Sequence, residues 1–325
     1  MRAVVTGGAG FIGRSLVRQL RERGDAVVAL VRDAGRAGPL HEIGCDIVEV
    51  DLGSATAEPL RSAMDRADAV FHLAGSYRVG IPATAHASMF QANVGSTRAV
   101  LDVAAGAGVA RMIYVSTANV YGDTHGRVVD ETYRRPQPPM FLSYYDETKY
   151  LAHLAAEERV AAGAPILIAL PGMVYGPGDH SQIGATIRQA MAGRLPVLFA
   201  PDLGGNLVQV DDVAAGILLI HDKGSIGEEY VLGGEIATMH EVVRRAASVA
   251  GKRPPLLSAP SWLLHVVTPL GGLIDRVAPN APNLREMARA SDGVTYWATD
   301  AKARVELDYA PQDLEAGLRT LLVAS

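Results

Sequence analysis

Short, β-branched apolar runs alternate along the first half of the chain with longer stretches whose apolar positions recur every three or four residues. AVV at 3–5, AVVALV at 26–31, DIVEV at 46–50, AVFHLA at 69–74, RMIYVS at 111–116 and PILIAL at 165–170 predict strands. Between the first two, Ile12, Leu16 and Leu20 share one face of a predicted helix that stops at Gly24. Runs that are apolar throughout, joined by helices, predict a parallel sheet covered on both faces. The fold class expected is α/β, with a doubly wound parallel sheet. After PGMVYGPGD (171–179) Pro and Gly become dense, and helical patterns such as TMHEVVRRAASVAG (238–251) stand without regular strands. DDVAAGILLIHDKG (211–224) predicts a further helix returning to the first unit. The expected organisation is a nucleotide-binding domain of 1–170 plus about 206–224, and a smaller, mixed substrate-binding region of about 171–205 and 225–325.

Composition narrows the class. Hydrophobic residues at 49% and charged residues at 20% describe a globular chain, and 325 residues suffice for a substantial core. A net charge of -5 with scattered Lys and Arg gives no basic face for nucleic acid. Cys45 is the only cysteine, which excludes an internal disulfide and a thiolate cluster. The most apolar long stretch, SWLLHVVTPLGGLIDRVAP (261–279), is broken by His265, Pro269, Asp275 and Arg276, and predicts a lid or packing helix pair instead of a membrane span. Met1-Arg2 runs straight into the first strand with no targeting segment, so a cytoplasmic protein is expected.

TGGAGFIG (6–13) falls where the first strand ends and the first helix begins. Gly7 and Gly10 permit a tight turn and close approach of backbone to a pyrophosphate, and Gly13 lets the helix pack on the strand. The amides of Phe11, Ile12 and Gly13 at the helix start are donors for an anion. A Rossmann-type dinucleotide site follows. Asp51, closing the third strand, is placed either to accept from an adenine amino group or to close a turn. After the second strand come Arg32 and Asp33, with Arg36 nearby. A guanidinium attracts a ribose 2′-phosphate whereas a carboxylate repels one. With Arg32 first, NADP(H) is favoured over NAD(H).

SYYDETKY (143–150) places Tyr145 four residues before Lys149, one of only four lysines. On a helix that spacing stacks a phenol and an ammonium on one face. An ammonium favours the ionised phenol, so Lys149 is expected to pull the pKa of Tyr145 toward neutrality and make it an acid/base group. TGGAGFIG, Asp51, FHLAG, NVGST, YVSTANVYG and Tyr145-x-x-x-Lys149, in this order, resemble the extended short-chain dehydrogenase/reductase family. The resemblance covers the whole chain. It implies catalytic roles for Thr117, Tyr145 and Lys149, with Asn93 in support and Lys149 also on the nicotinamide ribose. It further implies a cofactor shell including Leu52, Leu73, Ala74, Pro171, Met173 and Val174.

Family dehydratases and decarboxylases carry an extra acidic residue just after the hydroxyl residue, where this chain has Ala118 and Asn119, which transfer no proton. Carbonyl reduction and epimerisation remain. Sugar-nucleotide epimerases of the family grip a diphosphate with arginines, but the matching places hold Gly204-Gly205-Asn206 and Leu170; a second clamp could be matched by Arg289. RERGDAVVALVRD resembles the dihydroflavonol 4-reductase-like branch. Met89, Phe90, Met140, Phe141, Met173, Trp262, Leu263 and Leu264 suggest an apolar substrate end, and Tyr77, Asn119, His180 and Arg289 are candidate substrate contacts. His72 is expected to pack near the cofactor. No His, Asp or Glu grouping has metal-ligand spacing, and this chemistry needs no metal. The reading is an oxidoreductase reducing a carbonyl on a small, rather apolar molecule. Its alternatives are an NAD-dependent sugar epimerase and a non-catalytic nucleotide sensor. A homodimer through 88–107 and 143–162, whose faces carry Ala92, Ala99, Val103, Leu151 and Ala155, is also expected.

Overall fold

In the computed structural model, residues 1–53, 57–259 and 283–323 are described. Six strands lead the fold: β1 (Arg2–Thr6), β2 (Ala26–Val31), β3 (Asp46–Glu49), β4 (Ala69–His72), β5 (Arg111–Val115) and β6 (Ile166–Pro171). All are parallel and lie side by side in the order β6-β5-β4-β1-β2-β3. A seventh parallel strand, Glu229–Leu232, pairs with β6 at the edge. The sequence pattern assigned this segment to the substrate region. Four residues long and buried only once paired, EYVL gives too brief a run to separate from its Gly-rich surroundings. The winding reverses between β1 and β4, where Thr6 lies opposite His72, and a crevice opens at that point of a doubly wound sheet.

Each face of the sheet is buried. Leu16, Val17 and Leu20 of the first helix join Val213, Ile217 and Ile220 of the helix Val210–Lys223 on one side. Leu60, Val100, Leu101, Ala152 and Ala156 cover the other. The helix of 211–224 therefore does return to the central sheet. Beyond β6, Gly204–Gln209 is the centre of a small second sheet with Met173–Tyr175, Glu235–Thr238 and Thr295–Tyr296. A third pair joins Val197–Phe199 to Leu257–Ala259. Strands are thus frequent where the sequence pattern showed only helices, because runs of three to six residues with internal Gly lack a readable alternation. The stretch at 261–279, with Trp262, Leu263 and Leu264, lies outside the described residues. Among the described residues no helix is long and apolar enough to cross a membrane.

The helix Tyr144–Ala161 is fixed at its first turn by three devices. Ser143 caps it, its Oγ accepting from the Asp146 amide at 3.0 Å. Asp146 sits in the first turn, where the helix dipole favours a carboxylate. Arg135 Nη2 donates to both Asp146 oxygens at 2.8 Å, with the pair buried and the guanidinium over the rings of Phe141 and Tyr150. Removing one partner of such a pair strands the other charge away from water. Arg135→Met should lower the unfolding free energy by about 3–5 kcal/mol, read from urea midpoints at constant m-value, and adding Asp146→Asn should restore part of it.

Candidate active site

The crevice at the β1–β4 junction is a cavity of about 1530 Å³. At one end lies the Gly-rich loop. Gly7 has φ +71°, open to glycine at little cost, and a Cβ there would come 2.8 Å from the Ala74 amide nitrogen. A Cβ at Gly13 would overlap the Gly7 carbonyl oxygen. No side chain caps the helix that starts at Phe11, so its first amides remain directed at the cavity. These features fit a dinucleotide's pyrophosphate. Gly10, Phe11, Ile12, Leu73, Pro171, Met173 and Val174 line the same cavity. Ala74 is tied in by its amide, which donates to Thr6 Oγ1 at 3.1 Å.

Three predicted residues stand at its rim or beyond. Arg32 is exposed just past β2, and Asp33 beside it spends Oδ1 on the Gly35 amide at 3.0 Å, closing a turn. Asp51 is exposed, with Oδ1 accepting from the Gly53 amide at 3.1 Å, while Leu52 packs on the sheet.

Thr117, Tyr145 and Lys149 line the middle of the cavity together with Asn119 and Tyr77. Thr117 follows β5 and caps a short turn, its Oγ1 accepting from the Asn119 amide at 3.3 Å. The ring of Tyr77 meets that of Tyr145 edge-on at 4.8 Å. Burial is the largest influence on Tyr145 and pushes its pKa up, with the nearby Thr117 hydroxyl opposing. This corrects the expectation that Lys149 would draw the phenol toward neutrality. Lys149 Nζ donates to the Val115 carbonyl at 3.3 Å and lies over the Tyr114 ring, and burial holds its own pKa down at about 8. Tyr145 is therefore a neutral phenol with a proton to give.

Asn93 lies behind the cavity. Its Nδ2 donates to Ser76 O at 3.1 Å and Thr148 Oγ1 at 2.9 Å, and its Oδ1 accepts from the Ser76 amide at 2.6 Å. All its polar capacity goes to protein groups, so it holds the site's walls. It sits in a π-helical turn, Gln91–Gly95, that interrupts the predicted helix of 88–107. His72 packs as expected, between Thr6 Oγ1 at 2.7 Å and Thr97 Oγ1 at 3.1 Å, and burial holds its pKa near 3.

The far end of the cavity departs from the sequence reading. His180 lines it, but Arg289 is exposed on the outer face of the helix Leu284–Arg289, since Met287 and Ala290 take the inner one. Met89 is buried beside Tyr145, whereas Phe90 and Met140 are exposed and Phe141 lies under Arg135. The apolar wall comes instead from Val79, Ile81, Ile183, Leu203 and Met287, with Met173 from the predicted set. Two residues carried no sequence signal. Glu286 Oε1 accepts from the amides of Gly80 at 3.2 Å and Tyr144 at 3.0 Å, pinning that helix to the start of the Tyr145 helix. In the sequence it reads only as the third position after an N-cap, Asn283, which it also is. Asp179 is buried and lines the cavity, with Oδ1 accepting from the Ser181 amide at 2.7 Å.

Lys149 supplies a pH test. Its ordinary pKa of 10.5 falls to about 8 in the folded protein. Between those values the unfolded chain holds the extra proton and the folded one does not, so stability rises with pH across that window. Relative to Lys149→Met, wild type should gain about 1–3 kcal/mol from pH 8 to 10.5, by urea denaturation at stepped pH. A difference that stays flat contradicts the assignment.

Comparison with known proteins adds the following. The model of the NAD dependent epimerase/dehydratase family matches residues 3–233. The chain is 32% identical over 268 residues to a putative dihydroflavonol 4-reductase of Synechocystis sp., covering 80% of this chain and 75% of that protein. It is 28% identical to the 2-alkyl-3-oxoalkanoate reductase of Stenotrophomonas maltophilia, across 100% of this chain and 99% of that one. The crystal structure of gox2253 superposes with a TM-score of 0.82 at 28% identity, covering 99% of this chain and 97% of that one.

Proposed function

This chain belongs to the NAD dependent epimerase/dehydratase family, a nicotinamide-dependent oxidoreductase of the extended short-chain dehydrogenase/reductase type, and from that premise we propose that it is an NADP(H)-dependent ketoreductase. Its substrate is a small, rather apolar carbonyl compound. The observation that carries the reading is the apolar lining that Val79, Ile81, Ile183, Leu203 and Met287 give the cavity that holds Tyr145.

The nicotinamide, when bound, supplies a hydride to the carbonyl carbon. The Gly7–Gly13 loop and the first amides of its helix would hold the pyrophosphate, and Lys149 would meet the ribose. Tyr145, kept protonated by burial, donates its proton to the carbonyl oxygen, and Thr117 orients that oxygen through its hydroxyl. Neither Ala118 nor Asn119 transfers a proton, which argues against dehydration. Where diphosphate-gripping arginines sit in sugar-nucleotide enzymes, Gly204 and Gly205 run through a buried strand, and Asn206 accepts from the Ala298 amide at 2.9 Å. That argues against a nucleotide-sugar substrate. The name of the Stenotrophomonas relative, a reductase of an alkyl oxo-acid, supports the apolar class.

For the cofactor, Asp33 is occupied in its own turn while Arg32 stays exposed, an arrangement that suits a 2′-phosphate. Two variants test the proposal. Tyr145→Phe should lower ketone-dependent NADPH oxidation by about 10²–10⁴-fold while leaving NADPH binding, followed by fluorescence, intact. Arg32→Ala should cut kcat/KM for NADPH by about tenfold and leave NADH use unchanged, the loss of one charge-assisted bond. If instead the purified protein releases one NAD per chain on denaturation, the cofactor stays bound through a closed cycle and the epimerase reading replaces this one.

A further inference from the structure

Along the last turns of the Tyr145 helix, at Glu157, Val160 and Ala161, lies a second opening of about 830 Å³. It is lined by five carboxylates, Glu157 and Glu229 among them, against the cations Arg134 and Lys302. Lys302 is spent on Glu228, at 2.6 Å, and Arg134 lies 4.0 Å from Glu157, so the pocket keeps an excess of carboxylates over cations. Next to its lining residues Glu157 and Glu229, His153 Nε2 comes 3.4 Å from Glu229 Oε1 and 3.8 Å from Glu157 Oε1, and one ligand atom from each of the three lies within 4.8 Å of the others. The sequence reading, which found no grouping with metal-ligand spacing, had no means of seeing this one. His153 and Glu157 are four apart on one helix, but the third member comes from the edge strand.

We propose that His153, Glu157 and Glu229 form a binding site for a divalent first-row ion such as Zn²⁺. Three features beyond proximity carry it. Zn–N and Zn–O bonds of about 2.0–2.2 Å put ligand atoms roughly 3.3–3.6 Å apart in a tetrahedron, the spacing that His153 and Glu229 already hold. The other ring nitrogen of His153 is engaged, Nδ1 lying 3.2 Å from Ser116 Oγ, so the ring is oriented and Nε2 turned to the carboxylates, the outer partner a metal-bound imidazole requires. Among the described residues two buried polar atoms nearby have no hydrogen-bond partner: Glu229 Oε2, and the phenol oxygen of Tyr121, a residue only 4% exposed that sits in the field of Glu229 and Glu131. Unpaired buried polar atoms are costly, and a cation held by both oxygens of Glu229 removes the deficit at Oε2.

The site does not depend on the proposed reaction. It continues the helix ridge of Tyr145 and Lys149 beyond the nucleotide cavity, and it reaches the end of β5 through Ser116, next to Thr117. The test uses the untagged full chain, stripped with chelator and dialysed. Co²⁺ titration should give one saturating visible absorption band per chain, displaced by Zn²⁺, and Zn²⁺ should raise the melting temperature. Glu157 is partly exposed, so Glu157→Gln tests a ligand at little risk to folding, and Glu229→Gln tests the buried one. Loss of even an outer partner costs about 10–100-fold in affinity, so each variant should weaken Co²⁺ binding by about a hundredfold or more with its far-UV circular dichroism unchanged. Absence of saturable binding in wild type, or full binding in both variants, overturns the proposal.

Discussion

One buried run of hydrogen bonds holds the two halves of the nucleotide cavity in register. It begins at Thr6, the last residue before the Gly-rich loop, whose Oγ1 accepts from the Ala74 amide and meets His72 Nδ1. His72 Nε2 meets Thr97 Oγ1, which donates to the Asn93 carbonyl. Asn93 Nδ2 donates to Thr148 Oγ1, and Thr148 donates to the carbonyl of Tyr145. Because Thr97 gives its proton to Asn93, the imidazole must donate through Nε2 and accept through Nδ1, the neutral form that burial enforces. From Thr6 to Tyr145 the links are buried, so a partner lost there leaves an unsatisfied group worth about 1–3 kcal/mol. The π-helical turn at Gln91–Gly95 is where the run turns from the sheet to the Tyr145 helix. Its unusual geometry is where Asn93 bonds both Ser76 and Thr148.

The electrostatics of the reacting pair follow from the same enclosure. Spacing alone suggested that the ammonium of Lys149 would ionise the phenol of Tyr145. In the fold, desolvation acts on both groups, and it disfavours the charged form of each: the phenol keeps its proton and the ammonium is weakened. Lys149 is turned to the Val115 carbonyl and the Tyr114 face, so its influence on the phenol is indirect. A protonated Tyr145 suits the reductive direction, in which the side chain gives a proton.

What was legible in the sequence is what local periodicity and short motifs encode. Near-continuous apolar runs announced the parallel sheet, and TGGAGFIG announced its own turn because only glycine tolerates the φ of Gly7 and the packing at Gly13. Illegible were features decided by partners distant in sequence. Glu229–Leu232 is a strand because β6 offers it an edge. Glu286 ties 80 to 144 through one oxygen, which no spacing foretells. Arg289 was matched by position from another enzyme's clamp, but a six-residue helix has few faces, and the inner one went to Met287 and Ala290.

The Tyr145 helix joins these two kinds of information. Tyr145, Lys149, His153 and Glu157 follow one another at intervals of four, a ridge that drifts slowly round the helix axis as it advances. The ridge starts at the cavity, with Tyr145 under Tyr77, passes the end of β5 at Val115 and Ser116, and finishes above the edge strand at Glu229. A motif search stops at Lys149 because the first two members are sufficient for a known chemistry. The second two acquire meaning only when Glu229 is brought alongside them by the seventh strand. The sheet's last strand thus gives the helix a second polar end, and Ser116, which lines the nucleotide cavity beside Thr117, also meets His153 Nδ1. Any ion fixed by His153 bears on Ser116, and through the backbone it shares with Thr117, on the hydroxyl we assign to the substrate oxygen.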